Sequence, residues 1–294
     1  MSSYIVLYNS LANNGRGFKT AKNALQKFND KICEWQDITQ INSLQEYIDS
    51  NASHGFVLTG GDGTLHHFVN KVNCDELQSE IYFMPMGSGN DFARDIKGKT
   101  KFDEPLLINS YLTDLPIVTV NGEKQKFINN VGFGLDGYAC VESNRIKKEH
   151  QGAKINYAII VVIGYLFKYK SRNVDVTVDG EKFHFDRAWV CPTMNGKYYG
   201  GGMMISPLQD RTDKSNKVTL SVFHGNKLKV AFSFFKVFKG THIKKSKEVC
   251  SQFIGDNITV EYDKPTPLQI DGEAIPSVKK YYVKGVNYER SKNT

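Results

Sequence analysis

The chain has 294 residues, 40% of them hydrophobic and 12% aromatic, which suits two domains of ordinary size with sizeable cores and excludes a disordered or fibrous chain. Its formal net charge of +7 suits a partner with negative charge (nucleic acid, an anionic membrane surface or a phosphorylated ligand), or equally a solvated basic surface. Cys33, Cys74, Cys140, Cys191 and Cys250 are scattered without a Cys-x-x-Cys pair, so neither a disulfide framework nor a zinc site is expected, and a reducing cytoplasm fits.

The opening MSSYIVLYNS lacks a basic region and a long apolar stretch, and reads as a first strand rather than a secretion signal. Tyr4 to Tyr8 is that strand, and it ends in the turn-rich loop Asn9 to Gly17. Ala21, Ala24, Leu25 and Phe28 have helical spacing, so a helix is expected over Thr20 to Phe28. Lys31 to Ile38 reads as a second strand and Leu44, Tyr47 and Ile48 as a second helix. Phe56-Val57-Leu58 is a third strand running into a glycine loop, after which Leu65 to Val72 resumes a helix. Ile81 to Pro85 is a fourth strand, again followed by glycines. Repeated strand–loop–helix units predict an α/β domain with a parallel sheet and helices on both faces.

From about Val118 the texture becomes mainly β. Strands are expected at Lys126 to Val131, Val174 to Val178, Lys182 to Phe185, Ala188 to Thr193, Lys217 to Phe223, Asn257 to Tyr262 and Pro267 to Asp271, separated by turns such as Asp179-Gly180 and Asp271-Gly272. This predicts a C-terminal sandwich or barrel. Two helices interrupt it, one in the apolar run Tyr157 to Phe167 and one over Leu228 to Phe238. The first run is too short for a bilayer, which needs roughly twenty residues, and reads as a buried helix. Any membrane contact is therefore expected to be peripheral.

The glycine loops carry the chemistry. Gly60-Gly61-Asp62-Gly63-Thr64 lies between a buried strand and a helix, where glycines let backbone N–H groups approach a ligand and the helix end adds positive charge. This is a phosphate cradle, against the plainer reading of a tight turn. A carboxylate inside it repels phosphate unless a cation intervenes, so Asp62 suits a magnesium or water-mediated contact. Gly87-Ser88-Gly89-Asn90-Asp91 follows the next strand, with Asp91 read either as a helix cap or as a group that orients a hydroxyl substrate. The loop holding Arg16 ends the first strand, and in a doubly wound sheet all three loops gather on one edge. Near the C-terminus, Asp271-Gly272-Glu273 is a turn that also brings two carboxylates for orienting and deprotonating an alcohol. His66 and His67 read as incidental, and no histidine spacing suggests a metal site. The basic charge shows no aromatic-interleaved motif, so no nucleic acid partner is expected. Lys227, Lys229, Lys236, Lys239, Lys244, Lys245 and Lys247 flank the phenylalanine-rich helix. That helix reads as an anionic-membrane contact or as a packed helix with a solvated basic face.

The order Asn9…Gly15, Gly60-Gly61-Asp62-Gly63-Thr64, Pro85-x-Gly87-x-Gly89-Asn90-Asp91-Phe92-Ala93-Arg94, Asn130-x-x-Phe133-Gly134-Leu135-Asp136 and Asp271-Gly272-Glu273 resembles the diacylglycerol kinase catalytic domain family. That family includes soluble bacterial lipid kinases and the sphingosine and ceramide kinases. The resemblance covers nearly the whole chain, although NAD kinases and phosphofructokinases share the glycine–aspartate loop. It implies an ATP- and Mg2+-dependent lipid kinase, cytoplasmic and peripheral to the inner face of the membrane, with diacylglycerol the first acceptor to consider. It implies a nucleotide domain at 1–120, a lipid-substrate β-sandwich at 121–277, and a last strand at about 278–294 that returns to the first domain. Asp271 takes the place of the family's general base, and Glu273, Asp62 and Asp91 match acidic residues needed for activity. Nucleotide contacts fall on Asn9, Ser10, Leu11, Ala12, Asn13, Thr39, Gly60, Gly61, Asp62, Gly63, Thr64, Leu65, His66 and Ser88. A homodimer is left open.

Three departures stand out. Ser88 replaces the usual Thr and keeps the hydroxyl. The family's Asp-Asp-Gly turn, a structural magnesium site in some members, is absent, which leaves Asp210 and Asp213 as the candidate metal ligands. The usual Asp before the strand at Val118 is shifted to Asp114 or replaced by Pro116. Two other readings therefore stay open: a kinase of a soluble metabolite such as NAD, and a non-catalytic nucleotide-binding regulator.

Overall fold

A computed structural model describes residues 3–98, 101–150, 160–161, 163–213, 215 and 217–285; the side chains of Asn13, Asn14 and Lys147 lie outside the described set. The chain divides into two units, Met1–Leu115 and Pro116–Thr294.

The first unit is built on β1 (Tyr4–Tyr8), β2 (Ile32–Asp37), β3 (Gly55–Gly60), β4 (Ile81–Pro85) and β5 (Leu106–Leu107), in sheet order β2-β1-β3-β4-β5. The pairings among β1 to β4 are parallel, and β5 runs antiparallel beside β4. Helices α1 (Ala12–Gly15), α2 (Gly17–Ala24), α3 (Leu44–Ser50), α4 (Asp62–Lys71) and α5 (Asp91–Lys97) lie between the strands. Every residue of β3 is buried, as its unbroken apolar run requires of a central parallel strand. Strand order reverses between β1 and β3, and this switch point is where open α/β sheets bind ligands. The helix expected over Thr20 to Phe28 ends at Ala24, because the Phe28 amide donates to the Leu25 carbonyl and tightens the chain into a 3₁₀ turn, Gln26–Lys31.

The second unit is mainly antiparallel β. Its strands are β6 (Ile117–Val120), β7 (Glu123–Lys126), β8 (Asn130–Gly134), β9 (Arg172–Val178), β10 (Glu181–Ala188), β11 (Val190–Met194), β12 (Tyr198–Tyr199), β13 (Met203–Met204), β14 (Val218–Phe223), β15 (Cys250–Gly255), β16 (Asn257–Ile270) and β17 (Glu273–Lys284). The main path runs β15-β14-β11-β8-β16-β17-β6-β7, with β9 and β10 branching from β16. β16 is the spine. Its first half pairs with β9 through Ile258 to Tyr262, its last residues pair with β8 through Leu268 to Ile270, and the register shifts in between. Tyr262 and Tyr281 pack with tilted rings against Phe133 in the core, with ring centroids 4.9 and 5.1 Å from it. Helix α6 (Leu135–Glu149) follows β8.

One expected strand is corrected here. Lys126 to Val131 is not one strand: β7 stops at Lys126 and β8 starts at Asn130, because the amides between them bond elsewhere, Phe127 to the Pro116 carbonyl and Ile128 and Asn129 to Asp271. The first unit ends at Leu115, ahead of the boundary expected at 120, and β6 pairs with β17 in the second. Of the last strand expected at about 278–294, the residues up to Lys284 belong to β17, which pairs with β16 and β6; residues 286–294 lie outside the described set. Of the run Tyr157 to Phe167, residues 157–159 and 162 also lie outside it, and Gly164–Lys168 forms one π-helical turn. Among the described residues no helix is long and apolar enough to cross a membrane.

Candidate functional site

In the first unit, the loops after β3 and β4 touch backbone to backbone. A Cβ on Gly87 would lie 2.7 Å from the Gly61 Cα, and one on Gly61 would lie 3.1 Å from the Gly87 Cα, so only glycine permits the contact. The Met86 amide donates to the Gly60 carbonyl at 2.6 Å and ties the loops together. Asn90, in the left-handed region at φ 50°, closes the second loop with two bonds: its Oδ1 accepts from the Gly87 amide and its Nδ2 donates to the Gly87 carbonyl, both at 2.9 Å. Helix α4 starts at Asp62 with no side-chain cap from Gly61, and the space beside Gly63 is open. The first-turn amides of such a helix carry the positive end of its dipole and suit a phosphate.

Both oxygens of the Asp62 carboxylate are engaged by the loop after β4. Its Oδ2 accepts from the Asp91 amide at 3.1 Å and its Oδ1 from the Phe92 amide at 3.0 Å. Asp62 thus caps α5 from another loop, in place of Asn90, whose side chain bonds Gly87 instead. Asp91 is buried in the first turn of α5, with the Arg94 guanidinium 4.0 Å from its carboxylate.

The loop after β1 is fastened by a residue that sequence reasoning missed. Asp37, buried at the end of β2, accepts from the amides of Ser10 and Thr39 and from the Thr39 hydroxyl at 2.9 Å. Burial alone raises an acid, but the hydrogen bonds from Ser10 and Thr39 outweigh it and hold the Asp37 carboxyl below its ordinary range. The available signal was the Asp-x-Thr spacing, which favours an Asx-type turn. Asn9 also turns inward on its own loop, its Oδ1 accepting from the Leu11 amide.

The expected nucleotide residues separate on this geometry. Asn9, Ser10, Ala12, Thr39, Gly60, Gly61, Gly63, Thr64 and Ser88 lie at the carboxyl ends of the four strands β1 to β4, with Leu11 74% exposed beside them. The Leu65 side chain is wholly buried and its amide bonds the Gly61 carbonyl. His66 is likewise buried on α4.

In the second unit, Asp271 and Gly272, at φ 47° and 92°, form the tight turn that joins β16 to β17. The Asp271 carboxylate accepts from three amides, Ile128 at 2.6 Å, Asn129 at 2.7 Å and Asn130 at 3.0 Å. Its own amide donates to the Asn130 carbonyl. The turn is therefore clamped to the start of β8. The Gly272 amide donates to the Gln269 side chain, which in turn bonds Asp136 at 3.3 Å. Burial pushes the Asp136 carboxyl up to about 6, against the bonds from Gly137 and Gln269. The Asn130 Nδ2 is buried and meets no acceptor among the described residues. Glu273 is exposed at the start of β17.

Asp210 and Asp213 each bond within their own turn. Asp210 accepts from the amide and hydroxyl of Thr212, and Asp213 from the amide and hydroxyl of Ser215. These bonds hold both carboxyls below the ordinary range. Among the described residues no three His, Cys, Asp or Glu side chains gather to hold a metal ion. The glycine loops at the start of α4 suit a nucleotide phosphate.

Residues 3–118 match the family described as the diacylglycerol kinase catalytic domain, and residues 129–282 match the YegS C-terminal NAD kinase beta sandwich-like domain. The protein YtlR of Bacillus subtilis is 25% identical over 249 residues, 80% of this chain and 78% of its own. A diacylglycerol kinase of Mycobacterium tuberculosis is 22% identical over 289 residues, 92% of each chain. The crystal structure of a diacylglycerol kinase from Bacillus anthracis superposes with a TM-score of 0.60 at 17% identity over 98% of both chains, a likeness of fold.

Proposed function

Because the chain belongs to the diacylglycerol kinase catalytic domain family, we propose that it moves the terminal phosphoryl group of ATP to the hydroxyl of a lipid, with diacylglycerol as acceptor and phosphatidic acid as product. The observation that carries this reading is the pair of interlocked glycine loops at the carboxyl edge of the parallel sheet. Backbone donors at the α4 end meet the nucleotide phosphates, and Asp62 and Asn90 fix the loops that present them. Charged phosphate favours such preorganised donors, and phosphoryl transfer depends mostly on positioning.

Asp271 is the general base of this proposal. Its three amide bonds hold the carboxylate in one orientation, and the adjacent Asn130 side chain is a buried donor suited to a lipid oxygen. Glu273 and Asp91 complete the acidic set. The enzyme works at a membrane surface, where its water-insoluble acceptor resides. Magnesium enters with ATP, held chiefly by the phosphates.

Incubating the protein with labelled ATP and a panel of lipid alcohols tests the reading; label is expected in phosphatidic acid. Label that appears only in NADP when NAD is supplied without lipid makes the protein a kinase of a soluble metabolite. ATP binding without transfer to any acceptor makes it a regulator.

A further inference from the structure

The helix Lys227–Val237 is apolar on two opposite faces. Val230 and Val237 are fully buried and pack with Trp189, Phe223 and Tyr165. On the other side Leu228, Phe232 and Phe235, spaced i, i+4 and i+7, are 69%, 66% and 76% exposed, and Phe238 just beyond the helix is 60% exposed. At about 100° per residue these three fall in one narrow stripe opposite the buried positions.

A second bare apolar segment adjoins the first. In the π-helical turn and the residue before it, Ile163, Leu166 and Phe167 are 46%, 49% and 79% exposed. Two bonds join the segments: the Tyr165 hydroxyl donates to the Lys227 carbonyl, and Lys227 Nζ donates to the Leu166 carbonyl at 3.0 Å. Folded chains rarely leave large apolar side chains in such a cluster without a use for them.

The charges around the patch have one sign. From Lys227 to Glu248 there are seven lysines and a single carboxylate, Glu248, which is ion-paired with Lys229. Lys229 lies to one side of the stripe, Lys239 continues its line, and Lys244, Lys245 and Lys247 follow on an adjacent exposed turn. Two copies of such a face repel one another, whereas anionic lipid phosphates complement it.

We propose that this face is the surface on which the protein docks to an anionic bilayer. Phe167, Phe232, Phe235 and Phe238 enter the boundary between headgroups and acyl chains, and the lysines meet the lipid phosphates. The buried face of the helix keeps it on the β unit, so the helix lies in the interface plane and does not leave the protein. The proposal deepens the lipid-kinase reading by naming where the enzyme meets its acceptor's phase. Its test reads binding rather than turnover, so a failure of either idea leaves the other to be judged separately.

The experiment is sedimentation of the full-length protein with vesicles of phosphatidylcholine alone or mixed with phosphatidylglycerol. Three proteins are compared: wild type, Phe232→Ser/Phe235→Ser, and Lys239→Glu/Lys244→Glu. Wild type is expected on the mixed vesicles and less on the neutral ones, with binding that weakens as salt rises. The phenylalanine variant is expected to lose about tenfold or more in partition, since two aromatic rings no longer leave water. The charge-reversal variant is expected to lose its preference for the anionic lipid. Both variants change exposed side chains, so their melting temperatures should stay near wild type. If the phenylalanine pair fails to fold, Phe235→Trp supplies the readout: its fluorescence shifts to the blue on mixed vesicles and not on neutral ones. Equal binding by all three proteins overturns the proposal, as does a wild type that ignores mixed vesicles. A wild-type dimer that the phenylalanine variant abolishes, without vesicle binding, also overturns it and assigns the face to a second copy.

Discussion

Asp62 and Asp271, one in each unit, share a local setting: an aspartate before a glycine, next to the end of a buried strand. Both prove to be acceptors for distant backbone amides. Asp62 takes two amides at the start of α5, and Asp271 takes three at the start of β8. What differs is what remains around them. Asp62 locks two loops together at the start of its own helix, where the space beside Gly63 is open. Asp271 uses the amides around it to fix its own carboxylate. The first unit presents donors, which suit an anion; the other unit presents a held acceptor, which suits a hydroxyl.

The largest expected effect breaks the acceptor half. Asp271→Ala leaves three amides without their acceptor and should lower stability by about 3 kcal/mol, seen as a lower midpoint in urea unfolding. Asp271→Asn keeps one acceptor oxygen and should lose less. Next comes the donor half: Asp62→Ala orphans two amides and should lower stability by about 2 kcal/mol while weakening ATP binding, read by calorimetry. Gly87→Ala pushes a methyl into Gly61 and Asn90 and should separate the loops, at a cost of about 1–3 kcal/mol, with ATP affinity falling more than stability.

The smallest effects are pH dependences, and the two acids behave oppositely. Asp136 has its carboxyl raised to about 6, so the folded state binds its proton more tightly than the unfolded state. Its contribution is therefore present at low pH and lost as pH rises from about 4 to 6. Asp136→Asn should remove that fall and be the more stable protein above pH 6, by about 1–2 kcal/mol in melting experiments across pH. Asp37 is held low, so its contribution is present above the unfolded value near 4 and lost as pH falls. Asp37→Asn should flatten the acid limb of the same stability curve.

The first unit was largely legible in the sequence. Its strands are short apolar runs ending at glycines, and local pattern places the three loops on one edge. The partners of its carboxylates were not legible, because the Asp62 bonds span 29 and 30 residues and those of Asp271 span 141 to 143. No local period encodes such pairings. Electrostatics within the Asp62 loop pointed to a cation and gave no sign of the amides of the next loop, which bond both carboxylate oxygens. Asp37 was missed because one buried aspartate at a strand end looks like any turn residue. The helical stripe of Leu228, Phe232 and Phe235 was visible, but periodicity shows only that residues share a face. Burial of Val230 and Val237 shows that the phenylalanine face is the one left bare.

The most direct measurement follows labelled phosphate from ATP into diacylglycerol presented in anionic vesicles, for wild type and Asp271→Asn, with ATP binding measured in parallel. Labelled phosphatidic acid with wild type alone, and ATP bound by both proteins, is the predicted result. Transfer that survives in the variant, or ATP bound by wild type with no lipid labelled, would contradict the account.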